Sequence, residues 1–166
     1  MTHVGYRLAR AGYLLRTSCT QACRETVLAG CQRAGGAAQV WAPWKNCGGY
    51  LGNVQLPSVE HLRAALELHP DLSFLADKVK ASLSHRAGMV MGADGDPPAG
   101  FVVCWTPDGC EHPDQRTRLT GATMTTIMAA HRAGAPVFNI QHADAGKRLG
   151  RFLSQVRNAH LQASRL

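Results

Sequence analysis

The sequence has no long hydrophobic run. None of its apolar stretches approaches the ~20 residues that a membrane-spanning helix needs, although hydrophobic residues make up 45% of the chain. The first segment, Met1 to Leu8, also lacks the apolar stretch of a secretory signal peptide. We therefore expect an intracellular protein that is not secreted through a signal peptide and that has no membrane partner.

Motifs for metal binding and nucleophilic catalysis are also missing. The six cysteines include no Cys-x2-Cys pair, and the eight histidines include no His-Glu-x-x-His motif, so we predict no metal site. No serine or cysteine lies in a recognisable nucleophile elbow. A chain of this length needs no disulfide framework, and an intracellular setting favours free thiols. The sequence therefore predicts reduced cysteines, no cofactor and no catalytic residue.

Acidic residues are scarce. Lysine and arginine total 18 against 11 aspartates and glutamates, which gives a formal charge of +7. This charge favours anionic partners such as nucleic acid, a nucleotide or an acidic protein surface, but a basic surface that only serves solubility fits it equally well. The 166 residues contain no internal repeat and no linker-like segment, so we predict one domain over residues 1–166.

The chain is organised around the stretch from Gly100 to Ile140. An apolar run of strand length, Phe101 to Cys104, is followed by a polar loop, a helical pattern that opens near Thr120, and a second apolar run that ends at Ile140. This order predicts two parallel strands joined by a helix. Ligands of open α/β sheets bind beyond the carboxyl ends of the strands, so we expect any binding site at residues 106–123.

Further patterns extend this architecture in both directions. Strands are predicted at 13–17 and 38–42, and helices at 3–10, from about 20 to 32, at 58–69, from about Leu72 onwards and after Asp144. The helix from about Leu72 is predicted to face inward through Leu75, Val79 and Leu83, and residues 86–91 are predicted to lead out of it. We therefore predict an α/β fold: a three-layer Rossmann-like domain with a mainly parallel sheet of about four strands. Self-association or docking is expected through the first helix or through the last helix's apolar face, which carries Leu149, Phe152 and Val156.

The loop after the second predicted strand, residues 43–53, is long and rich in glycine. It carries Trp44, Lys45 and Tyr50, and we expect it to help line the site. The aromatic rings beside Lys45 fit either base stacking or a hydrophobic lid, and the sequence leaves both open.

The run from Phe101 to Gly109, Phe-Val-Val-Cys-Trp-Thr-Pro-Asp-Gly, resembles a family of phage and mobile-element proteins related to the DNA-recombination mediator DprA. The resemblance continues through residues 116–123 and 136–140, and upstream through 41–45, 69–70 and 85–92. This family belongs to the SLOG group of Rossmann-like folds, which also contains the "lonely guy" nucleotide hydrolases. The resemblance implies a location in the host cytoplasm or in an assembled phage particle.

Three departures from the family pattern imply that the ligand site has degenerated. The family's first strand and its phosphate-facing turn are absent, so the fold is truncated at the N-terminus. The family's first glycine loop aligns with residues 17–24, where every glycine is replaced and the added Cβ atoms should crowd a phosphate. The second glycine motif survives only as Thr120 to Met124, and the bulky Met124 stands where a ligand would approach closely. The helix that follows lacks the glutamate that serves the hydrolases.

The expected ligand site, either vestigial or open to a nucleotide or phosphate, comprises eight residues: Lys45, Thr106, Asp108, Arg116, Arg118, Thr120, Gly121 and Thr123. Thr120 to Thr123 would offer backbone N–H groups at a helix N-terminus, or Thr120 would simply cap that helix. Asp108 would accept a hydrogen bond from a ribose or base, or would cap its own loop. Arg116 and Arg118 would add charge, with Lys45 across the cleft.

Three functions follow from these features. The first is a non-catalytic structural or interaction protein of phage type, such as a virion component, whose partners are further copies of itself or other phage proteins. The second is a module that binds a nucleotide or single-stranded DNA, as a recombination mediator does. The third, hydrolysis of a nucleoside 5′-monophosphate, has the least support because only Asp108 and Glu111 offer nearby carboxylates.

Overall fold

The computed structural model describes residues 1–69 and 74–163. Within it the chain forms two compact units, Met1–Ala99 and Gly100–Leu166, which we take one at a time. No helix in the described ranges is both long and apolar enough to cross a membrane. The predicted single domain over 1–166 remains a prediction.

In its described residues, 1–69 and 74–99, the amino-terminal unit contains five α-helices and one parallel pair of strands. Its elements are α1 (Thr2–Arg10), β1 (Leu15–Ser18), α2 (Gln21–Cys23), α3 (Ala29–Arg33), β2 (Ala38–Trp41), α4 (Val59–Leu68) and α5 (Asp77–Met91). A π-helical segment, Arg24–Leu28, joins α2 to α3, so the helical path runs from 21 to 33. The strands pair in register from Leu15 opposite Ala38 to Ser18 opposite Trp41.

Close backbone approach explains two glycines of this unit. A Cβ on Gly5 of α1 would lie 2.2 Å from the carbonyl oxygen of Val27, and one on Gly30 would lie 2.0 Å from that of Thr2. Real Cβ atoms do not tolerate such distances, so only glycine lets α1 pack directly on the helical path from 21 to 33. The predicted first helix is thus present, and its inner face is used within the unit.

The core of this unit forms around β2. Trp41 is fully buried and meets the ring of His61 edge-on, with 5.3 Å between the ring centroids. The Nδ1 atom of His61 accepts the backbone N–H of Ser58 at 2.8 Å, so its Nε2 carries the proton that is donated to the Gly92 carbonyl at 2.9 Å. These two bonds fix the start of α4 against the end of α5.

The carboxyl-terminal unit contains β3 (Val102–Cys104), α6 (Thr123–Arg132), β4 (Val137–Asn139) and α7 (Ala145–Ala163). The two strands pair in parallel from Val102 opposite Val137 to Cys104 opposite Asn139. The predicted strand–helix–strand unit is therefore confirmed. Short 3₁₀ turns, Pro113–Gln115 and Arg118–Thr120, occupy the connection that leads into α6.

Helices α6 and α7 cover the two faces of this strand pair. Successive residues of a strand point to opposite faces, so neighbouring residues of β4 contact different helices. Val137 packs with Ile127 and Met124 of α6. The next residue, Phe138, meets Phe152 of α7 at a centroid distance of 5.7 Å, and Phe152 also contacts Phe101 at 5.8 Å. Phe152 is therefore partly covered inside its own unit, and docking through its face remains a prediction.

The structure differs from the predicted elements in several places. In the described residues, four strands form two separate parallel pairs, β1–β2 and β3–β4. A single sheet of about four strands is not shown and stays a prediction. The helix predicted from Leu72 has its start outside the described residues, and α5 runs on through Arg86 to Met91, where we expected an exit from the helix. Leu75 and Val79 were predicted to face inward but are exposed.

Candidate functional site at the carboxyl end of β3 and β4

The loop from Thr106 to Thr120 folds back on itself through Asp108. One carboxylate oxygen accepts the hydroxyls of Thr117, at 2.6 Å, and of Thr120. The other oxygen accepts the backbone N–H of Cys110 at 3.3 Å. Hydrogen bonds from the two threonines hold the pKa of Asp108 well below its usual range. Asp108 therefore acts as the loop-capping carboxylate, which is one of the two roles that the sequence left open.

Asn139 joins this loop to the end of β4. Its side chain is completely buried, and its amide group donates to the Thr106 hydroxyl at 2.6 Å and to the Cys110 carbonyl at 3.0 Å. Its amide oxygen accepts the backbone N–H groups of Thr106, at 3.3 Å, and of Gln141, at 3.1 Å. All donors and acceptors of the amide are thus used within the fold.

Glu111 forms the second carboxylate centre of the loop. Arg148 donates two hydrogen bonds to it, at 2.7 and 2.8 Å, and the backbone N–H of Asn139 donates a third at 2.6 Å. Burial alone would raise the pKa of Glu111, but the hydrogen bonds from Arg148 and from the Asn139 backbone bring the net pKa below its usual value. The same pair raises the pKa of Arg148. This bidentate pair fixes the start of α7 to the loop.

The entry to α6 is open to solvent. Gly121 has a left-handed φ of 57°, and a Cβ built on it would meet nothing within 4 Å. Ala122 is exposed, and Thr123 makes no capping bond at the helix start. Met124 was expected to crowd a ligand here, and the structure corrects this, because its side chain is buried against Cys104 and Ile127.

The basic residues of the predicted site lie apart from the hydrogen-bonded network. Arg116 and Arg118 are exposed on the outer side of the loop, and neither pairs with a carboxylate in the part of the chain that the structure describes. Lys45 belongs to the amino-terminal unit, where it is also exposed. Its expected place across a cleft from the arginines therefore remains a prediction.

The segment aligned with the family's first glycine loop follows β1. Ser18 and Cys19 are buried there, and the Ser18 hydroxyl lies 3.4 Å from Nε2 of His85 on α5. Burial and the neighbouring charge of Arg86 lower the pKa of His85 to about 4. A histidine of such low basicity is a poor proton acceptor near neutral pH, so this contact does not make Ser18 a nucleophile.

Sequence reasoning found the loop but missed the residues that close it. Asn139 and Arg148 form several of the hydrogen bonds that close the loop, but the sequence assigned no role to either. Glu111 was considered only as a catalytic carboxylate. The interpretation of His142 as a satisfied surface histidine is confirmed, because the residue is exposed and its Nε2 contacts the Gly109 carbonyl at 2.7 Å. The one available signal was a polar Asn at the end of an apolar strand, which indicates a buried hydrogen-bonding residue.

The described residues contain no group of three or more His, Cys, Asp or Glu side chains placed to hold a metal ion. Comparison with protein-family models, with curated proteins and with solved structures finds no match to this chain. The function must therefore be argued from the side chains themselves.

Proposed function

We propose that this chain is a non-catalytic interaction protein of phage type, built on a DprA-like fold that has lost its phosphate-binding loops. The finer fold assignment belongs to the same proposal: a three-layer Rossmann-like domain with about four mainly parallel strands. That assignment rests on the resemblance carried by residues 101–109 and 116–123.

One observation carries the functional part of the proposal. The two carboxylates that could cleave a ligand at the ends of β3 and β4 are already hydrogen-bonded to other side chains of the unit. Asp108 is occupied by threonine hydroxyls, and Glu111 is held by Arg148. A general acid or base must be able to gain or lose a proton near the working pH. Two carboxylates with lowered pKa values, both already hydrogen-bonded, do not meet that requirement.

The amino-terminal unit presents an apolar surface suited to a protein partner. Val59 at the start of α4 is 70% exposed, and Phe74 just before α5 is 94% exposed. Val59 lines a groove together with Pro57, Leu62, Asp77 and Lys80, among others. Exposed apolar side chains rimmed by polar ones are typical of interaction sites.

The charges at this surface favour a second copy of the chain. Asp77 and Lys80 lie one turn apart on α5, and neither forms an ion pair with another residue in the described ranges. In a two-fold contact each patch meets itself, so Asp77 of one copy can face Lys80 of the other. The surface is therefore self-complementary in charge as well as apolar.

Sedimentation of charge-reversal variants tests this assignment. We expect the wild-type chain to self-associate, Asp77→Lys and Lys80→Asp each to weaken the association by tenfold or more, and the double reversal to restore it. Val59→Asp should abolish the association, while Glu60→Lys, an exposed neighbour, serves as the control. A wild-type chain that stays monomeric at all concentrations, or a double reversal that fails to restore association, contradicts the proposed contact.

Binding of single-stranded nucleic acid is the second candidate, and one observation favours it. Trp105 directly follows β3, is 53% exposed, and has its indole N–H held by the Gln141 side chain at 2.9 Å. An exposed, oriented ring in the same loop region as Arg116 and Arg118 fits base stacking next to phosphate contacts.

A thermal-shift series with nucleoside monophosphates and oligodeoxythymidylate separates the two candidates. A bound ligand present at a hundredfold excess over its Kd stabilises the fold by about 2.7 kcal/mol. The interaction proposal expects no shift with any of them. A shift that Trp105→Ala and Arg116→Ala both remove, but that Arg132→Ala leaves intact, would establish nucleic-acid binding in its place.

A further inference from the structure

The two cysteines that border the first strand pair pack against each other. Cys19 directly follows β1 and is 1% exposed, and it belongs to a core cluster with Leu28 and Val40. Cys47 lies in the loop after β2, is partly buried and packs on that same cluster. Both are free thiols in the structure.

The surrounding backbone holds this contact in place. The N–H group of Cys19 donates to the Trp41 carbonyl at 2.9 Å, which continues the strand pairing past β1. Arg24 donates to the carbonyl of Gly48 at 3.1 Å and lies over the ring of Tyr50. The loop that carries Cys47 is therefore tied to the same end of the strand pair as Cys19.

The two thiols also influence each other electrostatically. Burial, followed by the hydrogen bond and charge of the Cys47 thiol, raises the pKa of Cys19 to about 11. Cys19 is therefore almost wholly protonated at neutral pH and is shielded from reagents, whereas Cys47 is half-buried and reachable. This asymmetry makes Cys47 the thiol that reacts first with an oxidant.

We propose that Cys19 and Cys47 form a disulfide when the chain meets a disulfide oxidant such as oxidised glutathione. The Cys47 thiolate attacks the oxidant, forms a mixed disulfide and releases one glutathione. The Cys19 thiolate then attacks the Cys47 sulfur and releases the second glutathione. The two thiol protons pass to the two glutathione molecules, and the chain loses two electrons that the oxidant gains.

The disulfide would join the loop covalently to the end of β1. That loop carries Trp44 and Leu51, both exposed. Oxidation would therefore restrict how these side chains are presented, and it would close a chain segment of 27 residues between the two cysteines, which constrains the unfolded state.

The carboxyl-terminal unit supplies an internal control. Cys104 and Cys110 also share one core cluster, but both are buried. Burial, followed by the charge of Glu111, raises the pKa of Cys104 to about 12. Because an oxidant in solution reaches neither buried thiol, we expect Cys104 and Cys110 to stay reduced under conditions that oxidise Cys47.

Peptide mapping after oxidation tests the proposal. The full chain is incubated with oxidised glutathione, alkylated and digested with trypsin, which cleaves after Arg16, Arg24, Lys45 and Arg63. We expect peptides 17–24 and 46–63 to be linked, with a total mass lower by two hydrogens and a higher melting temperature for the oxidised chain. Peptide 17–24 also contains Cys23, so the Cys23→Ser variant must retain the link.

Two variants keep the test decisive. Cys47→Ala changes a half-buried loop residue and should keep the native circular dichroism spectrum while losing both the link and the oxidant-dependent rise in melting temperature. Cys31→Ala, a buried thiol elsewhere in the unit, should keep both. A glutathione that stays on Cys47, a link that Cys23→Ser removes, or oxidation of Cys104 and Cys110 ahead of Cys47 would each overturn the proposal.

Discussion

The carboxyl ends of the two strand pairs differ in how their buried polar groups are satisfied. Beyond β3 and β4, Asn139 and Asp108 form internal hydrogen bonds with the loop that follows. In the amino-terminal unit, by contrast, four buried side-chain nitrogens have no hydrogen-bond partner among the described residues: Nε of Arg24, Nε1 of Trp41, Nδ1 of His85 and Nε of Arg86.

This difference shows that two parallel strand pairs can bury polar groups with opposite effects on the free energy of unfolding. A satisfied buried network makes a loop rigid, whereas each unpaired buried polar group costs free energy. Burial lowers the pKa of both His85 and Arg86 because their charged forms are poorly solvated there. We therefore expect mutations to act through lost hydrogen bonds in the carboxyl-terminal unit, and through desolvation and packing in the amino-terminal unit.

The largest effect is expected from Asn139→Ala. The substitution removes four hydrogen bonds and leaves the Thr106 and Cys110 groups unpaired in the core, so the free energy of unfolding should fall by about 4 kcal/mol. Urea denaturation of the full chain measures this loss. Asn158→Ala on exposed α7 should change stability by less than about 0.5 kcal/mol. A small effect at Asn139 would show that the loop network is dispensable.

The next effect concerns pH and the amino-terminal unit. Because the folded-state pKa of His85 is about 4 and an unfolded histidine titrates near 6.5, the unfolded chain binds a proton first as the pH falls between these values. Stability should therefore be complete above pH ~6.5 and should decline towards pH ~4, by an amount on the order of 3 kcal/mol.

Melting curves across this window check the sign and the source of the effect. His85→Leu removes the titrating group, so its stability should depend less on pH than that of the wild type. His3→Gln, at an exposed position of α1, should leave the pH dependence unchanged. A wild-type stability that rises on acidification would show that the sign is wrong.

The smallest effect concerns packing in the amino-terminal unit. A Cβ on Gly88 of α5 would lie 2.4 Å from the buried ring of Trp41. Gly88→Ala should therefore cost about 2 kcal/mol despite the better helix propensity of alanine. Gly146→Ala on α7, where the added Cβ meets nothing within 4 Å, should instead gain up to about 1 kcal/mol. Thermal denaturation of both variants tests this contrast, and equal effects of the two would contradict it.

Local pattern was enough to predict most of the strands and helices. The apolar runs at 38–42 and 101–104 contain the strands, and the helix that follows Thr120 was found from its small, polar entry residues. The π-helical segment was not predicted, because nothing in the spacing of Arg24 to Leu28 distinguishes a widened helical turn from a regular one. The exposure of Leu75 and Val79 was missed because periodicity identifies an apolar stripe but not whether another element covers it.

The candidate site was predicted in part. Residues 106–123 were identified because parallel strands bring their carboxyl ends together, and that rule depends only on element order. The roles within the loop required tertiary contacts. Asp108 fits a ligand contact and a loop cap equally well until Thr117 and Thr120 are placed beside it. Met124 points into the core, a direction that sequence spacing alone did not reveal.

The sequence by itself determined that the chain is a mixed α/β protein with a parallel strand–helix–strand unit after Gly100, because hydrophobic periodicity and turn residues act locally. Tertiary structure alone decided which polar side chains meet. Asn139 and Thr106, separated by more than thirty positions, become hydrogen-bond partners only when β3 and β4 pair in register. Because of that pairing, polar side chains that could contact a ligand form hydrogen bonds with one another.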